Sequence, residues 1–272
     1  MNTTTNLIAF IGGGNMATAI IGGLLRQGRP PASILVIDPS ETQRERLSAQ
    51  GLRTQAQPDA TLQPAALVVW AVKPQQFKDA AQACAAFTAG ALHYSVMAGL
   101  RTDDMARWLG TPRIVRAMPN TPALVGQGMT GLFSRPEVTV AERTQIEGLV
   151  APTGKALWVQ QEAQLDAVTA LSGSGPAYVF YFIEAMMQAA QDMGLSAEQG
   201  RQLALATFGG ATALAAQSSE PPSVLRERVT SKGGTTYAAL THLETAGVKA
   251  SFVAAMRAAE RRAGELGDEF GR

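Results

Sequence analysis

Gly12-Gly13-Gly14-Asn15-Met16-Ala17 joins a short apolar run to a stretch of helical periodicity, and small residues in that order suit the holding of phosphate. In such a turn Gly12 permits the tight bend and Gly14 lets the backbone approach a pyrophosphate. Ala17 lets the next helix pack closely while its amino end faces the phosphates. A plain glycine turn is the competing reading. Asp38 closes the second apolar run, where a carboxylate can accept hydrogen bonds from the hydroxyls of an adenosine ribose. Simple electrostatics then favours NAD, because a carboxylate repels a 2′-phosphate. Ser40, Arg44 and Arg46 follow as possible compensating donors, so NADP stays open, as does a mere turn before Pro39. Ala71-Val72-Lys73-Pro74 closes another apolar run, and Lys73 is either near the phosphates or ribose or a solvated loop lysine.

Ser172-Gly173-Ser174-Gly175-Pro176 leads into a helix, but no histidine is near in sequence to activate a serine. The two histidines, His93 in an expected strand and His242 in an expected helix, read as structural or exposed. The single cysteine, Cys84, lies in an Ala-rich stretch and reads as a small core residue. No cluster of Cys, His, Asp and Glu has the spacing of a metal site.

The elements that must position these residues follow from periodicity. Leu7–Ile11, Ile34–Ile37 and Leu67–Val72 read as strands buried on both faces, with Asn15–Arg26, Glu41–Gln50 and Gln75–Phe87 as the intervening helices. Further strands are expected at Leu92–Val96, Ile114–Ala117, Met129–Phe133 and Ala156–Val159, with helices at Thr102–Leu109 and Val138–Val150. This is the alternation of βαβ units around a mainly parallel sheet. After Gln160 strand-like runs disappear and Ala, Leu and Met dominate. Pro176 suits the first turn of a helix running to Met193 and closed by Gly194; Ser196 and Gln199 have capping-box spacing for a second, toward Ala216. Two more are expected, at Thr236–Thr245 and Val248–Leu266. The expected fold is an α/β Rossmann domain with a parallel-rich sheet, residues 1–160, followed by an all-α dimerisation and substrate-binding domain, residues 161–272. So much apolar helix surface implies a homodimer.

Composition bounds the partners. A chain of 272 residues, 46% of them hydrophobic, can build real cores. With 23 Lys and Arg against 22 Asp and Glu, no charge excess argues for nucleic acid or an anionic membrane. Residues 1–11 have no basic segment and their apolar run is broken by glycines, so neither a signal peptide nor a membrane span is expected and the cytoplasm is the default compartment.

Five motifs occur in order: Gly12–Ile20 (GGGNMATAI), Val72–Pro74 (VKP), Arg116–Pro122 (RAMPNTP), Leu171–Tyr178 (LSGSGPAY) and Val229–Thr236 (VTSKGGTT). Together they closely resemble the pyrroline-5-carboxylate reductases over nearly the whole chain. The resemblance implies NADPH- or NADH-dependent reduction of a cyclic imine to proline, the last step of proline biosynthesis. It also implies a helical domain interlocked with a second subunit, in some members as a ring of dimers. By position, the cofactor would touch Ile11, Gly12, Gly13, Gly14, Asn15, Met16, Asp38, Ser40, Ala71, Val72, Lys73, Pro74, Val96, Met97 and Ala98. The imino acid would meet Glu162, Ser231, Gly233, Gly234, Thr235 and Thr236. The family's substrate loop usually reads Ser-Pro-Gly-Gly, and here Lys232 stands at the proline's place. It either points inward and assists carboxylate binding or points outward and alters only loop stiffness.

Imine reduction needs positioning rather than a covalent intermediate. Thr236, at an expected helix start after two glycines, is the first candidate to orient the imine nitrogen, and Ser231 can add a hydroxyl at the carboxylate. The local alternative is a helix-capping loop. Glu162 is expected to meet the imine nitrogen, to order a loop of a facing subunit, or to be a surface carboxylate at a helix start. Asn120, between two prolines, can orient nicotinamide or substrate or simply form a turn. The rival enzymatic reading is a hydroxy-acid dehydrogenase, for which Lys232 is the only motif-embedded acid or base; the rival outside enzymes is a dinucleotide-binding sensor.

Overall fold

A computed structural model describes residues 6–271. The expectation for the leading segment falls partly on residues 1–5, which lie outside the described residues. The chain forms two compact units: one holds the residues up to Ser174 together with those from Ala259 onward, and the other is Gly175–Ala258.

The first unit is built on an eight-stranded sheet in the order β3-β2-β1-β4-β5-β6-β7-β8. The strands are β1 (Leu7–Ile11), β2 (Ile34–Ile37), β3 (Arg53–Gln55), β4 (Ala65–Trp70), β5 (Leu92–Ser95), β6 (Ile114–Met118), β7 (Gly128–Ser134) and β8 (Gly154–Trp158). All neighbours are parallel except β6 and β7. The order β3-β2-β1-β4-β5-β6 is that of a doubly wound dinucleotide fold, with its switch point between β1 and β4. Register makes the site: Ile37, Ile11, Trp70 and Ser95 stand abreast, so the segments after β2, β1, β4 and β5 leave the sheet along one edge.

Strand alternation sends Ile8 and Phe10 to one face of the sheet and Leu7, Ala9 and Ile11 to the other. Helices α1 (Asn15–Arg26) and α5 (Val140–Val150) cover the first face with Ile20, Ile21, Leu24, Ile146 and Leu149. Helices α3 (Phe77–Thr88) and α4 (Thr102–Leu109) cover the second with Phe77, Ala81, Cys84 and Met105. Burial pushes the Cys84 thiol up to about 12, which leaves it inert and structural. Helix α2 (Glu41–Ser48) follows β2, and α6 (Gln164–Val168) runs into a π turn at Thr169–Gly173.

Several boundaries differ from sequence expectation for local reasons. The fourth strand ends at Trp70 rather than Val72, and a short 3₁₀ turn, Pro74–Gln76, precedes α3. Lys73 before Pro74 is held extended at φ −68° and ψ 141°, as a residue preceding proline must be. Thr139 caps α5 in a reciprocal capping box with Glu142, so that helix starts at Val140 rather than Val138. Strand β3, reading Arg-Thr-Gln on the sheet edge, has no apolar signal.

The second unit comprises α7 (Gly175–Asp192), α8 (Ala197–Gln217), α9 (Pro222–Arg228), α10 (Thr235–Thr245) and the first part of α11 (Val248–Phe270). The expected capping box forms: the Ser196 amide donates to Gln199 Oε1 at 2.8 Å and the Gln199 amide to Ser196 Oγ at 3.2 Å. Gly200 lets α8 approach α7, since a Cβ there would lie 3.0 Å from that of Ala190. Helix α9 was not legible in the paired prolines, yet Pro222 starts it, its missing amide falling where a helix has no partner for one.

Candidate active site

The turn after β1 is built around contacts that admit only glycine. The Gly12 amide donates to Ile37 O at 2.8 Å. Gly12 has φ +93°, and a Cβ there would lie 2.6 Å from Ala71 O. The Gly13 amide donates to Asp38 Oδ2 at 2.7 Å, and the Ser40 amide donates to Asp38 Oδ1 at 2.8 Å. Gln43 closes the same corner by donating its side-chain amide to Gly13 O. Asp38 therefore fixes two turns at once, and each of its oxygens still has a lone pair for a ribose hydroxyl.

Gly14 behaves differently. It precedes α1 without any side-chain cap, and a Cβ there would meet nothing within 4 Å. Gly14 and Asn15 are exposed while Ala17 is fully buried. The first amides of α1 thus have no side-chain cap at the positive end of a helix, next to open space at Gly14, an arrangement with which a helix start can hold an anionic group. Beyond Asp38, Ser40 caps α2, accepting from the Gln43 amide at 3.4 Å. Arg44 donates to the backbone oxygens of Asp38 and Pro39 at 2.9 and 2.8 Å, which holds its guanidinium on the loop after β2. Arg46 instead donates to Thr18 Oγ1.

The segments after β4 and β5 lie on the same edge. The Ala71 amide donates to Ile11 O at 2.8 Å and the Val96 amide to Trp70 O at 3.1 Å. Lys73 is exposed; Val72 and Pro74 are half-buried. Met97 is buried beneath the turn and its amide donates to Ser95 Oγ, whereas Ala98 is exposed on top of it.

Asn120 and Glu162 each serve the first unit's own frame. Asn120 Oδ1 accepts from the Met129 amide at 2.9 Å, and its Nδ2 donates to Ser172 O and Ser172 Oγ, both at 3.2 Å. Gly173 packs so close to Met118 that a Cβ would lie 2.3 Å from its Cε. The RAMPNTP and LSGSGPAY motifs are therefore bound to each other, and Ser172 is an acceptor in that link. Glu162 Oε1 accepts from the Thr102 amide at 2.8 Å and from Arg116 Nη1 at 3.0 Å, and its Oε2 accepts from Thr102 Oγ1 at 2.6 Å. Arg116 is buried, 4% exposed, with Asp166 3.9 Å from its other terminal nitrogen. Burial holds the Asp166 carboxyl above its usual range against the pull of Arg116 and Arg101. In the sequence Arg116 stands out only as part of the RAMPNTP motif; the signal of its role is a charge inside the apolar run Ile114-Val115-Arg116-Ala117.

In the second unit the VTSKGGTT motif forms the entry to α10. The Gly234 amide donates to Ser231 O at 3.0 Å and Gly233 takes φ +75°. A Cβ on Gly234 would lie 2.7 Å from Ser231 Oγ, so the glycine lets that hydroxyl sit over the turn. Gly234 caps α10 without any side-chain hydrogen bond, leaving the amides of Thr235 and Thr236 unpaired within the helix. Ser231, Gly233, Gly234, Thr235 and Thr236 thus come together in one turn at the start of α10. Lys232 is exposed and lines a groove with Arg226, Thr230 and Tyr237.

The family profile described as pyrroline-5-carboxylate reductase dimerisation matches residues 162–266, and that described as NADP oxidoreductase, coenzyme F420-dependent, matches residues 7–99. The pyrroline-5-carboxylate reductase of Pseudomonas aeruginosa is 43% identical over 98% of this chain and 99% of its own length. Among solved structures, the pyrroline-5-carboxylate reductase of Coxiella burnetii superposes with a TM-score of 0.90 at 38% identity, covering 97% of this chain and 99% of that one. The Plasmodium falciparum pyrroline carboxylate reductase with NADP bound gives a TM-score of 0.86 at 27% identity, covering 96% of this chain and 98% of that one.

Proposed function

The chain belongs to the pyrroline-5-carboxylate reductase family, an NAD(P)H-dependent oxidoreductase acting on a C=N bond, and we propose how its own residues divide that task. The cofactor lies along the carboxyl edge of the sheet. The first amides of α1 hold its pyrophosphate, Asp38 and Ser40 meet its ribose, and the turns Ala71–Pro74 and Val96–Ala98 line the remainder. The reduced nicotinamide, when bound, supplies the hydride that converts the imine 1-pyrroline-5-carboxylate to L-proline.

The cradle at the start of α10 binds the imino acid. Its carboxylate takes the unpaired amides of Thr235 and Thr236 together with Ser231 Oγ, where the positive helix end favours an anion. Thr236 Oγ1 orients the ring nitrogen, which must be protonated for the imine to be a good electrophile and which becomes the amine of the product. Asn120 and Glu162 act from within the frame, the first by tying the Ser172 loop in place and the second through Thr102 and Arg116. Residues 1–160 serve the cofactor, and residues 161–272 serve substrate binding and pairing with a second copy, in the cytoplasm.

The observation that carries this reading is the uncapped start of α10 after Gly233 and Gly234. Thr236→Ala is expected to lower kcat/KM for the imine by about a hundredfold with the melting temperature kept, and Thr236→Ser to restore most of it. Activity of Thr236→Ala within about twofold of the parent would remove Thr236 from the site.

A further inference from the structure

The turn from Val96 to Arg101, between β5 and α4, is exposed on one side at Ala98 and braced on the other by the end of the chain. Gly99 takes φ +80°, and a Cβ on it would lie 2.9 Å from Phe270 Cδ2 and 3.2 Å from Leu266 Cβ. Phe270 also packs against the buried cluster that includes Met97, Leu100 and Met105. Asp268 Oδ1 accepts an ion pair from Arg101 Nη2 at 2.8 Å. A Cβ on Gly267 would lie 2.9 Å from Arg101 Nε and 3.3 Å from Gly99 O, so the glycine lets the helix end lie directly against the Arg101 side chain and the Gly99 carbonyl. Arg107 of α4 donates to Gly271 O at 2.9 Å, closing the contact from beyond the turn.

These contacts differ in weight. The Arg101–Asp268 pair is exposed, 46% and 64%, so it contributes little energy and serves as a directional contact between the turn and the helix. Packing of Phe270 and Leu266 on Gly99 supplies the attraction. We propose that Asp268 and Phe270, at the carboxyl end of α11, are positioning residues for the cofactor: they hold Val96–Arg101 in the shape that meets it. The proposal rests on the reading of Val96–Ala98 as a cofactor contact. A turn held this way costs less ordering entropy when the cofactor binds, so loosening it weakens cofactor binding without touching the imino-acid cradle.

The test is a steady-state comparison on the full chain. In the double variant Asp268→Asn/Phe270→Ala, KM for NADPH is expected to rise by about fivefold or more while KM for the imine stays within about twofold. The conservative pair Asp268→Glu/Phe270→Tyr is expected to recover most of the loss. Unchanged KM for NADPH, or a parallel rise in both KM values with a fallen melting temperature, would overturn the proposal. Ala98→Leu, in the turn itself, separates the two levels. If it weakens NADPH binding and the tail variant does not, the bracing role fails and the cofactor contact stands. If Ala98→Leu leaves NADPH binding unchanged, the contact fails and the proposal falls with it.

Discussion

Gly12 and Gly14 stand two positions apart in one turn, and a side chain would damage each in a different way. At Gly12 a Cβ would run into Ala71 O at 2.6 Å from a backbone at φ +93°. Gly12→Ala is expected to cost about 1–3 kcal/mol of stability. At Gly14 the φ is −66° and the space is open, so Gly14→Val should melt like the parent while NADPH binding weakens by about tenfold or more, because the branched chain occupies the phosphate's place. Thermal melts and an NADPH titration on both variants check this, and normal NADPH binding by Gly14→Val would contradict the phosphate assignment. The sequence made these glycines legible, since their spacing carries a mechanism. It did not reveal that Asp38 holds the Gly13 and Ser40 amides, or that Glu162 is bound by Thr102 and Arg116. The Gly13–Asp38, Thr102–Glu162 and Arg116–Glu162 bonds join residues 25, 60 and 46 positions apart, for which a single sequence offers no pairing signal.

Strands β4 and β5 are joined inside the sheet by a polar bridge as well as by their ladder. Trp70 Nε1 donates to His93 Nδ1 at 2.9 Å, which leaves the proton on Nε2, 3.2 Å from Thr88 O at the end of α3. Burial pushes the His93 imidazole down from 6.5 to about 4, opposed by the Thr88 bond and assisted by Arg113. The unfolded chain therefore binds this proton more tightly than the folded one. The associated stability is complete above about pH 6.5 and is lost as pH falls toward 4, up to about 3 kcal/mol. Denaturation at pH 7.5, 5.5 and 4.5, values near and below the ordinary histidine range, should give a pH dependence for His93→Gln flatter than for the parent. Equal slopes would refute the buried neutral state. At this scale the chemistry of residue types was a good guide where periodicity was strong, as in α1 and α4, whose ends match expectation. It failed for β3, which is held by its neighbour β2 rather than by apolar burial, and for α9, where proline acts as a starter.

At the scale of the molecule, the proposed function assigns the cofactor to the sheet and the imino acid to the helical segment. Parallel register gathers four loop starts at one edge, and this was legible because each strand reads as a short buried run followed by a helix. The helical segment leaves Phe180, Tyr181, Leu203 and Leu214 more than half exposed, as a surface made to pair would. The return of the chain from Ala259 to the first unit was not legible, because α11 has continuous helical periodicity across that point. The central claim is imine reduction, and its most direct test is oxidation of NADPH and of NADH by the purified chain with 1-pyrroline-5-carboxylate, with proline followed as product. Stoichiometric formation of proline, one per cofactor oxidised, is the predicted result, and the ratio of the two cofactors reports how far Arg44 and Ser40 offset Asp38. Cofactor binding without turnover of this imine, or turnover of a 2-oxo acid in its place, would contradict the account.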